Sequence, residues 1–163
     1  MKSVVCIFAF LLSVQFVANA QYGGKKLAVI GKGNTMVLSV TEEGSLNTFL
    51  GGSERIELDK NAREALADAL QKALSWGVIN NNQQLSFDKR VSKVGNTNIV
   101  FKGRSDGGHD IALYTSYSSL YGDTAFDIER PGSLFWTFSS DQQVREIITT
   151  LGKQASALDD IFK

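Results

Sequence analysis

The chain holds a single histidine, His109, within Asp106-Gly107-Gly108-His109-Asp110. A histidine beside a carboxylate can serve as a general base that activates a nearby hydroxyl. His109 with Asp110 would be the core of such a site, and Ser105 or Ser116 the hydroxyl, as in a small secreted hydrolase. A metal site built on His109, Asp106 and Asp110 is a poorer fit. One histidine without an H-x-x-x-H or H-x-H partner does not make a zinc site. Carboxylate-only binding of a hard cation needs more acids than this loop carries. The paired glycines favour a solvated hairpin tip over either chemistry, and no cofactor or metal is expected.

Other motifs resolve into structure. Leu27-Ala28-Val29-Ile30-Gly31-Lys32-Gly33 begins like a dinucleotide-binding fingerprint, but Met36 stands where the third glycine belongs. The segment that follows alternates like a strand where that fold needs a helix, so a hairpin is the better reading. Glu42-Glu43 and Asp159-Asp160 are adjacent carboxylates, which point apart on any regular element and form no dyad. Asp88-Lys89-Arg90 reads as a mixed-charge strand edge.

Aromatic residues crowd positions 101–138: Phe101, Tyr114, Tyr117, Tyr121, Phe126, Phe135, Trp136 and Phe138. Alternation assigns most of them to a core. Tyr114 and Phe135 have the opposite parity. With Arg90 and Lys102 they would form an aromatic-cationic sheet face suited to stacking on sugars, bases or a partner's apolar anchor.

The elements that must position these residues follow from periodicity. Met36, Leu38 and Val40 alternate with Val37, Ser39 and Thr41; Ile56 and Leu58 with Arg55 and Glu57; Leu85, Phe87 and Val91 with Ser86, Asp88 and Arg90; and Ile99 and Phe101 with Val100 and Lys102, while Ile111, Leu113 and Tyr117 share one parity, as do Leu134, Trp136 and Phe138. A period of two predicts strands with one buried face. Ala62, Ala65, Leu66, Ala69, Leu70, Ala73 and Leu74 instead form a helical stripe, with Asp59 as N-cap and Gly77 as stop. Val144, Ile147, Ile148 and Leu151 repeat that spacing behind a Ser140/Gln143 capping box, with Gly152 as stop. Short glycine- and asparagine-rich turns favour hairpins. The expected fold is α+β: a twisted antiparallel β-sheet with two amphipathic helices packed on one face, and a β-rich-then-helix unit used twice.

The N-terminus predicts export. Lys2 precedes an apolar run from Val4 to Val17, and Ala18-Asn19-Ala20 is a small-x-small cleavage site. The run is shorter than the roughly 20 apolar residues a membrane-spanning helix needs, so no transmembrane anchor is expected. Residues 1–20 read as a signal peptide cleaved after Ala20, and 21–163 as one secreted or periplasmic domain. The only cysteine, Cys6, lies in the leader, which leaves the mature chain without disulfide or thiolate chemistry. Loss of Lys2 takes the formal charge from +0 to −1. That balance gives no global attraction to nucleic acid or to an anionic membrane.

In layout, the repeated β-rich-then-helix unit resembles the Pur-alpha and Whirly families of single-strand-binding proteins. The resemblance rests on predicted topology and implies single-stranded nucleic acid as a ligand. The residues themselves point first to an exported, non-enzymatic binding or interaction module. Its ligand would be a protein or glycan on the Arg90, Lys102, Tyr114 and Phe135 face, through which two copies could also pair as a homodimer.

Overall fold

The computed structural model describes residues 20–22, 25–32, 35–42, 54–115 and 132–161. Strands β1 (Ala20–Tyr22), β2 (Lys25–Lys32), β3 (Thr35–Glu42) and β4 (Glu54–Leu58) precede helix α1 (Lys60–Gln83). Strands β5 (Phe87–Val94), β6 (Thr97–Gly103), β7 (His109–Thr115) and β8 (Ser133–Phe138) precede helix α2 (Asp141–Ile161). Within each set the strands pair antiparallel in chain order. Among the described residues, a four-stranded meander followed by a helix therefore occurs twice.

The α+β class, the antiparallel strands and the packed helices hold as expected. The strands form two sheets rather than one, because α1 carries the chain away from β4 before β5 begins. Both sheets turn one face to a shared core. Leu27, Met36, Leu38 and Leu58 enter it from the first sheet, and Ile99, Phe101, Ile111 and Leu113 from the second. The alanine-rich stripe of α1 and Val144, Ile147 and Leu151 of α2 complete it. Among the described residues no helix is long and apolar enough to cross a membrane.

The helices depart from expectation at identifiable residues. Asp59 caps α1 as predicted, its Oδ1 accepting a 2.8 Å hydrogen bond from Ala62 N–H. Ala65, however, is exposed, and Arg63 is buried in its stead. Ala65 lies about 100° around the helix from Leu66, at the edge of the stripe rather than in it. The Arg63 Nε and Nη1 find no hydrogen-bond partner among the described residues. Gly77 does not stop α1. The helix runs through it to Gln83 and closes at Gln84, whose φ of 53° is left-handed and whose N–H bonds Asn80 O at 2.7 Å. Likewise α2 continues through Gly152. At its start Gln143 N–H donates to Ser140 Oγ at 3.4 Å, while Gln143 Oε1 accepts from Ser139 N–H at 3.2 Å. The capping box is thus shared by two serines.

Two β-bulges reset the side-chain parity of the second sheet. The ladder between β5 and β6 shifts between Arg90 and Ser92, which leaves Val91 as the extra residue. The ladder between β7 and β8 pairs Leu113 with Trp136 and then Tyr114 with Leu134, which leaves Phe135 over. An extra residue exchanges the faces of everything beyond it. Leu134, expected inside, is therefore 52% exposed, and Phe135, expected on the open face, is buried in the main core. Leu85 is also exposed, because β5 begins only at Phe87. Tyr117, Tyr121, Phe126 and Ser116 lie outside the described residues.

Candidate functional site

Residues directly opposite one another in an antiparallel ladder project to the same face. The register therefore collects Asp88 and Arg90 of β5, Val100 and Lys102 of β6, Asp110, Ala112 and Tyr114 of β7, and Leu134 of β8 on the outer face of the second sheet. Both helices contribute instead to the core on the other face. Three of the four expected binding residues, Arg90, Lys102 and Tyr114, do share one surface. Phe135 does not, and Leu134 takes its position.

Tyr114 is less open than its parity suggests. It is 8% exposed and forms a small second apolar cluster with Val100 and Ala112. The Val100–Ala112 pair sits between the Lys102–Asp110 and Asn98–Tyr114 pairs. The side chains of Lys102 and Tyr114 lean toward each other across it, bringing Lys102 Nζ to 5.4 Å from the centre of the Tyr114 ring. The pKa of Lys102 is raised, chiefly by its hydrogen bond to Tyr114. Asp88 Oδ2 lies 3.9 Å from the same ammonium. The outer face thus carries a preset cation–aromatic pair over a small apolar floor, with exposed Arg90 and Leu134 beside it.

His109 is not a solvated hairpin tip. Its side chain is 14% exposed. The ring stacks on Phe101 at 5.2 Å and 18°, and Nε2 lies 2.9 Å from Asp141 Oδ1 at the start of α2. Gly77 of α1 comes so close that a Cβ there would stand 2.9 Å from Nδ1 and nearer still to Cε1 and Nε2. Asp110 is not the orienting acid. It accepts two hydrogen bonds from Arg104 Nη1, at 3.0 and 2.9 Å. That carboxylate raises the Arg104 pKa further. Asp106 is held below its ordinary value, first by the 2.7 Å hydrogen bond from Gly108 N–H.

The hairpin itself is fastened to α1. Buried Asn80 donates through Nδ2 to Arg104 O at 3.2 Å and to Gly108 O at 3.0 Å, and its Oδ1 accepts from Leu85 N–H at 3.1 Å. His109 and Asn80 therefore join α1, the β6–β7 hairpin and α2 at one point. A general base needs a reacting group within hydrogen-bond reach. The ring of His109 is instead enclosed by Phe101, Gly77 and Asp141, a geometry that docks helices. Ser105 sits exposed in the turn. Among the described residues no three His, Cys, Asp or Glu side chains come together in a way that could hold a metal ion. The Gly31-Lys32 segment lies in β2, paired with β3, and opens no helix.

Compared with protein-family models, with curated proteins and with solved structures, the chain matches none.

Sequence reasoning does not single out Lys72 or Trp76 and reads Lys89 only as part of a mixed-charge strand edge, yet the ammonium of each lysine stands 5.5 Å from the centre of the Trp76 indole. A signal was present in the spacing. Trp76 follows Lys72 by four residues and precedes Ile79 by three, on the flank of α1 beside its apolar stripe.

Proposed function

We propose that the chain is an exported, non-enzymatic binding module whose contact surface is the outer face of the second sheet. The observation that carries this reading is the Lys102–Tyr114 pair, held over Val100 and Ala112 and flanked by exposed Arg90 and Leu134. Aromatic and arginine side chains in such a setting dominate the energetics of many interfaces. Tyrosine under a lysine also loses little conformational freedom on binding, because its ring is already placed. A protein or glycan ligand fits a face that combines a ring, two cations and one aliphatic side chain. Export rests on the leader-like residues 1–20.

Two measurements test the reading. Mass spectrometry of the protein recovered outside the cytoplasm is expected to find a chain beginning at Gln21, with its N-terminal glutamine partly cyclised. A chain that retains Met1 in the membrane fraction overturns export.

For the face, Arg90→Ala and Leu134→Ser should each leave stability within about 0.5 kcal/mol of wild type, as exposed substitutions usually do. Together they should abolish capture of the envelope protein or glycan that binds immobilised wild type. Sedimentation of the same pair of proteins reads self-association, which the double variant should also lose if a second copy is the ligand. Undiminished capture by the double variant overturns the face. Tyr114→Ala is unsuitable as a surface probe, since truncating a buried aromatic costs several kcal/mol.

A further inference from the structure

A second aromatic-cationic surface lies on the helix side of the second sheet, at the rim where α1 meets β5. Lys72, Trp76 and Ile79 share one flank of α1. Phe87 and Lys89 pair with Gly103 and Phe101, so they project to the sheet face on which α1 packs. Trp76 is half-buried and meets Phe101 edge-on at 5.9 Å and 81°. Phe87 lies against the same Phe101 at 5.6 Å. Ile79, one turn on from Trp76, is largely exposed.

The two lysines converge on the indole from different elements, each ammonium 5.5 Å from the ring centre. At a half-exposed site the ring quadrupole stabilises each ammonium only modestly. Among the described residues neither ammonium has a carboxylate within ion-pair distance. Asp88, next to Lys89, is on the opposite sheet face and faces Lys102. The site thus presents two cations outside any ion pair among the described residues, beside the apolar surface of Trp76, Ile79 and Phe87.

We propose that Lys72, Trp76 and Lys89 form the docking site of an acidic peptide segment bearing an apolar side chain. A carboxylate of the segment supplies a counter-charge to the two ammoniums at the indole. An aliphatic or aromatic side chain next to it covers Trp76 and Ile79. Two cations beside this much apolar surface suit a carboxylate flanked by carbon better than a phosphate or a sulfated sugar, which would leave the indole and Ile79 in water. Among the described residues β5 is the edge strand of its sheet, so an extended segment has a strand to run along. The site is separate from the outer face, because Arg90 follows Lys89 and successive strand residues point to opposite faces.

The test uses the full chain and a fluorescein-labelled peptide of alternating glutamate and leucine, followed by polarisation and by tryptophan fluorescence. Saturable binding is expected, weakened at least tenfold in Lys72→Gln/Lys89→Gln and in Trp76→Leu, and unchanged in Arg90→Gln. Melting curves of Lys72→Gln/Lys89→Gln should overlay those of wild type, since both side chains are exposed. Absence of saturable binding overturns the proposal, as does equal binding by the double-lysine variant. Equal affinity for a lysine–leucine peptide overturns it too, because the contact is then merely apolar. Displacement by inorganic phosphate or a sulfated oligosaccharide at lower concentration than unlabelled peptide reassigns the site to simple anions. Weakening by Arg90→Gln alone would move the contact to the outer face.

Discussion

Gly77→Ala is expected to destabilise the domain by about 2–4 kcal/mol, although the same exchange in an exposed helix interior stabilises by up to about 1 kcal/mol. The reversal comes from His109. The added methyl would lie well inside van der Waals contact distance of three ring atoms. Overpacking of this kind typically costs about 1–3 kcal/mol. The ring has no easy retreat, because Phe101 stacks on it and Asp141 holds Nε2. Displacing it also breaks the 2.9 Å contact with Asp141. His109→Ala in the same chain opens the space, so Gly77→Ala/His109→Ala should be less destabilised than the sum of the single variants. A coupling of at least about 1.5 kcal/mol is expected from chemical denaturation of the four proteins. If Gly77→Ala proves as stable as wild type, the close approach of α1 to His109 is wrong.

That contact also shows where sequence reading reaches its limit. Gly77 looks like a helix stop, because glycine often ends helices and because Asn80, Asn81 and Asn82 follow it. Its reason for being glycine lies on another strand. The same holds for His109, whose adjacent acids Asp106 and Asp110 are both engaged with Arg104, while its real partner is Asp141 on α2. Local spacing reports periodicity and caps, and those were legible: the Asp59 cap and the core-facing Met36, Leu38 and Val40 stand as read. It does not report which distant carboxylate a folded chain brings to an imidazole.

The bulges have a different origin. A bulge inserts one residue without any compositional mark. The run Leu134-Phe135-Trp136 is apolar at three successive positions, so either parity satisfies the pattern. The choice between Leu134 and Phe135 for the outer face was therefore open in the sequence and is decided by the register of β7. Arg90, Lys102 and Tyr114 kept their common face because the paired positions that relate them, Arg90 with Val100, Val100 with Ala112 and Lys102 with Asp110, involve no inserted residue. Lys72 and Lys89 meeting at Trp76 needed the packing of α1 against β5, which no periodicity encodes.

Leu70→Asp is expected to abolish the cooperative unfolding transition. Leu70 is 0% exposed at the centre of the α1 stripe, between Leu66 and Leu74, and faces the core shared by both sheets. Losing a buried leucine to a small residue costs about 2–5 kcal/mol. The carboxylate adds the cost of desolvating a charge with no partner, several kcal/mol more even after relaxation. A domain of this size has roughly 5–15 kcal/mol in total. The sum removes most or all of it, so the variant should show no sigmoidal melt and should be degraded or aggregated on expression. Leu70→Ala keeps the experiment interpretable, because it lacks the charge: it should still fold, with a midpoint lowered by an amount matching the cavity term alone. Ala65→Asp, on the exposed flank of the same helix, should melt close to wild type. A Leu70→Asp variant that melts within a few degrees of wild type, or an Ala65→Asp variant that does not fold, would mean that α1 presents a different face to the sheets.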